Sequence, residues 1–226
     1  MAISLSKGQK IDLTKSTGEN LTNFCVGVNW GAIVTEKKSF WGGTKKVVED
    51  VDLDLSCVLT DSNGEMVDYI YSPDYNGFLA KNNLPLGKLS TVDGALKHSG
   101  DDRKGDQDGD DGLDNEIITV DLNRVNSNVD QIFFFLNIYL NQGQKFDFSN
   151  VPYAKIRMYE GTSTRVNTVF ANYDIATNLS FSGKGAIILG KLYRRNNIWR
   201  FDAIGDPTSD KLFLMTLNNI LNNYAK

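Results

Sequence analysis

The chain has 226 residues, 41% of them hydrophobic and 23% charged, a composition that excludes disordered and fibrous classes and, at ~150 residues per domain, allows one large domain or two small ones. Two cysteines, Cys25 and Cys57, without short Cys or Cys/His spacing exclude a zinc ribbon and a disulfide scaffold, and the lone His98 excludes an HExxH zinc site. Lys and Arg number 24 against 28 Asp and Glu, yet residues 101–116 alone hold eight acids and two bases; the nearly neutral remainder offers no broad basic face for nucleic acid.

In chain order, Phe24, Val26, Val28 and Trp30 alternate with Cys25, Gly27 and Asn29, the period of a half-buried strand. The stretch 35–49, TEKKSFWGGTKKVVE, reads as a long hairpin connection with Gly42-Gly43 at its turn, available for interaction. Val51, Leu53, Leu55, Cys57 and Leu59 alternate next, and Asp61-Ser62-Asn63-Gly64 supplies an Asn-Gly turn into MVDYIY, which predicts a hairpin. A strand at 116–122 and the run QIFFFLNIYL, apolar on both faces, predict central strands. AKIRMYE, GAIILGKLYR and IWRFDAIG follow, the last two joined across Asn196-Asn197, where Asn tolerates positive φ. After Pro207, residues 209–225 predict an amphipathic helix with Ser209 as N-cap and a stripe of Phe213, Leu217, Ile220, Leu221 and Tyr224. Together these elements predict an all-β fold, one sandwich of two mainly antiparallel sheets over about 3–206, with the closing helix docked on it; a helix that binds a partner or a membrane surface is the rival reading.

Eight carboxylates in sixteen residues repel one another unless cations neutralise them. Calcium takes six to eight oxygens at ~2.3–2.6 Å, and Gly100, Gly105, Gly109 and Gly112 would let the backbone curl around it, whereas magnesium keeps more of its waters. An EF-hand fails on register: starting at Asp106, Asp111 stands where Gly belongs and Ile117 where Glu belongs. The same composition also describes a solvated, disordered acidic loop. Asp52 and Asp54 point off the apolar face of VDLDLS, as a second carboxylate pair that could complete the shell or as a wet strand face.

The segments SLSKGQKIDLTK, DVDLDLSCVLTD, SGDDRKGDQDGDDGLDNEIITVDL, YAKIRMYE and GKLYRRNNIWRFDAIGD, in this order over about residues 3–206, resemble the TerD-type tellurium-resistance and stress-response domain family. The resemblance implies a calcium-binding β-sandwich. Its DLD element falls on Asp52 and Asp54, and its acidic element on Asp101, Asp102, Asp106, Asp108, Asp110 and Asp111, with Glu116 as the closing acid. Gly112-Leu113-Asp114-Asn115 intervenes before Glu116, so Asp114 competes for the closing position, and Asp102 stands where many members carry Asn. Residues 31–49 and the C-terminal helix lie outside the compact pattern.

The residues point to a non-enzymatic calcium-binding protein, and the resemblance implies a place in a bacterial stress and tellurite-resistance system, with two Ca2+ ions and a metal-organised surface for protein partners such as other members of a membrane-associated stress complex. The alternative is a phosphate-ester hydrolase using the carboxylates as a two-metal site, with Arg103 and Lys104 nearby but no identifiable nucleophile. The N-terminus lacks the apolar run of a signal peptide and no stretch approaches ~18 apolar residues, so the expected location is the cytoplasm, peripheral at the membrane at most. His98 reads as structural, and Cys25 and Cys57 as buried small hydrophobes. GGTKK lacks the spacing of a phosphate loop.

Overall fold

The computed structural model describes residues 2–15, 18–38, 42–140, 144–175 and 181–226. The strands are β1 (Ile3–Ser4), β2 (Lys10–Asp12), β3 (Asn23–Trp30), β4 (Ile33–Lys38), β5 (Thr44–Glu49), β6 (Asp52–Thr60), β7 (Met66–Ile70), β8 (Leu96–His98), β9 (Glu116–Asp121), β10 (Gln131–Tyr139), β11 (Ala154–Thr162), β12 (Arg165–Ile175), β13 (Ala186–Arg195) and β14 (Ile198–Thr208). A 3-10 turn, Pro73–Tyr75, leads into α1 (Asn76–Lys81), and α2 (Phe213–Asn223) lies near the C-terminus.

Two six-stranded sheets, ordered β1-β12-β11-β3-β9-β8 and β2-β14-β13-β10-β6-β7, face each other; β4 and β5 form a separate two-stranded hairpin. Every pairing but β1 with β12 is antiparallel. The period-2 residues of β3 (Phe24, Val26, Val28, Trp30) and β6 (Leu53, Leu55, Cys57, Leu59) meet in one core, as alternation demands when each sheet buries one face. β10 is apolar on both faces for a visible reason. Ile132, Phe134 and Leu136 enter the inter-sheet core, while Phe133 and Phe135 pack outward against Leu217 and Ile220 of α2. Both cysteines are buried, Cys57 between the sheets and Cys25 on the outer face of the first sheet.

The helix differs from its expected start. It begins at Phe213 rather than residue 209, and its N-cap is Leu212, without a side-chain cap; Ser209 is not the cap. β14 remains extended through Thr208, which accepts from the Gly185 N–H, and Thr208 Oγ1 donates to Asp210 Oδ2 at 2.6 Å, so the chain stays in sheet and turn hydrogen bonds past the expected cap. Of the stripe, Phe213, Leu217 and Ile220 are buried, and Leu221 and Tyr224 pack partly buried beside them. Within the 35–49 stretch, β4 and β5 pair as a hairpin carrying Lys37, Lys38, Lys45 and Lys46; residues 39–41 lie outside the described residues.

Candidate metal centre

β7 pairs with β6 only from Cys57 onward, so the first half of β6 has a free edge. Glu116, at the start of β9 in the opposite sheet, reaches it: Oε2 accepts the Leu55 N–H at 2.6 Å and Oε1 accepts the Asp102 N–H at 3.2 Å. The fully buried carboxylate thus joins the free edge of β6 to the acidic loop, and burial, with Asp101 beside it, holds its pKa well above the usual range. His98 Nε2 lies 3.3 Å from Glu116 Oε2, and Nδ1 accepts the Gly100 N–H at 3.0 Å. With burial driving its pKa down to about 4, His98 is a neutral, hydrogen-bonded support.

Asp52 and Asp54 sit on the outer face of β6, opposite Tyr139 and Asn137 of β10, and both are buried, so this is not a wet strand face. Tyr75 Oη donates to Asp54 Oδ2, and the Tyr75 ring packs on Tyr139 and Phe213. Asp101 comes down from the loop, and one carboxylate oxygen from each of Asp52, Asp54 and Asp101 lies within 4.8 Å of the other two. Burial first, then the neighbouring Asp54, pushes the Asp52 pKa up to about 8; burial and then Glu116 push Asp54 well above its ordinary value. The counter-charge is Arg103, which bonds Asp101 at 2.8 Å and also pairs with Asp74, but stands mostly in solvent. Asp52 Oδ1 is buried with no donor. A hard cation fits such a set: converging carboxylate oxygens, one unsatisfied, in a place where two negative charges cannot persist unaided.

The rest of the acidic window divides. Asp102 and Asp106 belong to a polar network in which Asn115 Nδ2 donates to Asp102 Oδ2 (3.2 Å) and Asp106 Oδ1 (3.1 Å), while Asn29 Nδ2 (3.0 Å) and Tyr153 Oη (2.8 Å) donate to Asp106 Oδ2. Gly105 makes this loop close: its φ is +67°, and a Cβ there would stand 2.5 Å from the Trp30 ring, whose Nε1 donates to the Val51 carbonyl. Asp108, Asp110 and Asp111 lie on the exposed rim, outside the Asp52–Asp54–Asp101 cluster, with Asp110 held by Lys155 at 2.8 Å and Asp108 4.0 Å from Lys46. Asp114 turns aside to Arg157 Nε (2.8 and 3.0 Å) over Gly27, where a Cβ would collide with its Oδ2 at 2.1 Å. Of the two competitors for the closing position, Glu116 is therefore the one beside the trio.

Sequence reasoning did not single out Tyr75, Asn115 or Tyr153. Tyr75 is 21 residues from Asp54 and joined to it only through the packing of the 3-10 turn, for which no spacing rule exists. Asn29 and Lys155 occupy the polar phase of their strands, a signal too common to mark a site.

Comparison with known proteins agrees with this architecture. The TerD domain model matches residues 1–220. The chain belongs to the TerD domain family. It is 37% identical to General stress protein 16U of Bacillus subtilis over 205 residues, covering 91% of this chain and 90% of that protein. It is 31% identical over 229 residues to Stress response protein SCP2 of the same organism, covering 100% of both. With the tellurium resistance protein TerD of Alcaligenes sp it shares 33% identity over 208 residues, 91% of this chain and 90% of that one. The crystal structure of a Streptomyces coelicolor homologue of a telluride resistance protein superposes with a TM-score of 0.58 at 16% identity, covering 92% and 99% of the two chains, which supports the fold alone. Among the described residues, no helix is long and apolar enough to cross a membrane.

Proposed function

We propose that this member of a tellurium-resistance and stress-protein family binds calcium without catalysing a reaction, and that metal loading organises a surface for protein partners. The observation that carries the reading is the convergence of the exposed Asp101 on Asp52 and Asp54, which are buried and have raised proton affinities, with one Asp52 carboxylate oxygen left unsatisfied. Asp52, Asp54 and Asp101 would hold the ion, with Glu116 fixing the loop to β6 behind them. A bound ion supplies positive charge; the chain's own contribution is to bring β6, the loop and Tyr75 to one place.

Tyr75 carries that state outward. Its ring packs on Phe213 at the start of α2 and lines a 320 Å³ groove with Phe78, Leu140 and Leu212, all three well exposed. An ion that takes Asp54 from the Tyr75 hydroxyl changes the fixing of this rim, which is the surface we assign to a protein partner of the stress system. The hydrolase reading has no observation in its favour: Arg103 is engaged by Asp101 and Asp74, and His98 by Glu116 and Gly100.

Calorimetric titration of metal-stripped protein tests the reading. Calcium binds the parent, while Asp52→Asn and Asp54→Asn each weaken binding at least tenfold, about 1.4 kcal/mol. Glu160→Gln, whose parent side chain pairs with Lys15 far from the site, leaves it unchanged. Absence of calcium binding to the parent overturns the proposal, and turnover of a phosphate ester with calcium, magnesium or manganese overturns its non-enzymatic part.

A further inference from the structure

The end of the sandwich remote from the acids holds a second concave site. β3 runs from Asn23 to Trp30, so its two ends stand about 23 Å apart at ~3.3 Å per residue. At the Asn23 end a cavity of 310 Å³ opens between the segment entering β3, the segment leaving β9 and the β13–β14 turn. Leu21, Leu122 and Val125 wall it and are buried, so the core holds its shape; Trp199 forms another wall, and Thr22 and Ser127 add hydroxyls. Arg194 is the one charged residue of the lining.

Arg194 has an unusual setting. It faces Trp199 across the β13–β14 pair, with its guanidinium carbon 4.8 Å from the indole centroid. Stacking fixes the plane of the fork. Its Nε is buried without a hydrogen-bond acceptor, and among the described ion pairs no carboxylate engages it. That Nε–H is sealed from solvent, so the terminal Nη groups, which no described hydrogen bond or ion pair engages, are the donors that a ligand in the cavity can reach.

We infer that this cavity binds a small amphiphilic carboxylate. The Nη1–Nη2 end of the guanidinium offers two N–H groups that match a carboxylate, and Trp199 with the buried leucines receives an apolar body. A single cation with uncharged polar neighbours suits a monoanion; a phosphate dianion would call for a second cation or a helix N-terminus. The volume lies at the lower end of the range of ~300–1,000 Å³ for small-molecule sites, which limits the ligand to a fragment-sized acid.

The test uses the full chain and follows the Trp199 indole N–H by NMR, assigned by its loss in Trp199→Phe, during titration with benzoate and hexanoate. Either acid is expected to shift that resonance saturably at millimolar concentration or below, while benzyl alcohol, hexanol and inorganic phosphate bind at least tenfold more weakly. Arg194→Gln weakens acid binding at least tenfold and leaves calcium titration unchanged. Ser127→Phe, at an exposed position on the cavity wall, blocks the acids without touching the core and serves if Arg194→Gln fails to fold. No saturable shift with either acid, equal binding of the alcohols, equal binding of phosphate, or full binding by Ser127→Phe would each overturn the assignment.

Discussion

Asp54 and Asp108 carry the same group into opposite surroundings. Asp54 is 3% exposed on β6, beneath Tyr75 and beside Asp52, with its proton affinity raised by burial and by Glu116. Asp108 stands with its side chain wholly in solvent on the tip of a loop that holds most of the chain's local negative charge. The dense loop tip spreads its charge into water, and Lys155 and backbone N–H groups hold its other acids. The sparse strand pair, by contrast, is dry and short of donors. Density of carboxylates along the sequence is therefore a poor guide to where a cation is needed; the shortage of water and donors decides it.

The largest expected consequence of that contrast is a pH dependence of the metal-free protein. A carboxyl whose folded-state pKa lies above its unfolded value keeps its proton longer in the fold, so the stability it contributes is complete below about pH 4 and is lost as pH rises toward its folded value. For Asp52 that window ends at about 8, and Asp54 and Glu116 act in the same direction. Unfolding free energies from denaturant titration in chelator should fall from pH 5 to pH 8, by about several kcal/mol at most, and calcium should reverse the slope because binding displaces protons. A metal-free protein that gains stability over this range would place the strand acids in the same wet class as Asp108.

Next in size is the effect of calcium itself at fixed pH. A ligand bound only by the fold adds ~2.7 kcal/mol at a hundredfold excess over its dissociation constant. In a chain of this length each kcal/mol moves Tm by roughly 2–4 °C. Calorimetric melting with calcium and with chelator should differ accordingly, and replacing Asp54 by Asn should abolish more of the difference than replacing Asp108 by Asn. Equal losses would erase the distinction between strand and rim.

Gly105 joins the two regions, and its replacement should cost at least about 2 kcal/mol. Alanine there meets the Trp30 ring and adopts a left-handed backbone, each an effect of roughly 1–3 kcal/mol. Gly183 has a similar φ of +72° but nothing within 4 Å of a Cβ. Chemical denaturation of Gly105→Ala and Gly183→Ala separates packing from backbone strain: the first should be the less stable by at least about 1 kcal/mol.

What could be read beforehand follows from the same physics. The alternation in β3 and β6 was legible because each buries one face between the sheets, and the doubly apolar run of β10 because α2 covers its outer side. Short or weakly patterned elements were not. The six residues of α1 are too few for a helical period, β1 and β2 are two- and three-residue edge strands, and β12 has mostly partly exposed residues on both faces. The start of α2 was misplaced because Ser209 has the chemistry of an N-cap, while β14 continues through Thr208 and a turn follows. In the site, Asp52, Asp54 and the loop were visible as acids. Their division into a dry strand pair with the exposed Asp101 beside it, a hydrogen-bonded pair and a wet rim depends on Tyr75, Asn115, Tyr153 and Lys155, which reach them only through tertiary packing.

The smallest effect belongs to the rim. Lys155 bonds Asp110 at 2.8 Å, yet both side chains are substantially exposed, 48% and 38%, and such pairs contribute ~0.2–1 kcal/mol because water already stabilises the separated charges. Lys155 also lies over the Tyr153 ring at 5.6 Å, a contact that Met retains in part as an apolar one. Lys155→Met should therefore change the denaturation free energy by less than about 0.5 kcal/mol and lose what salt dependence the pair has. It should also free Asp110 from its cation, so that calcium binding is unchanged or slightly tighter. A loss above about 1 kcal/mol would mean that the rim acids are held as firmly as the strand acids, and the contrast between dry and wet carboxylates would fail from its other side.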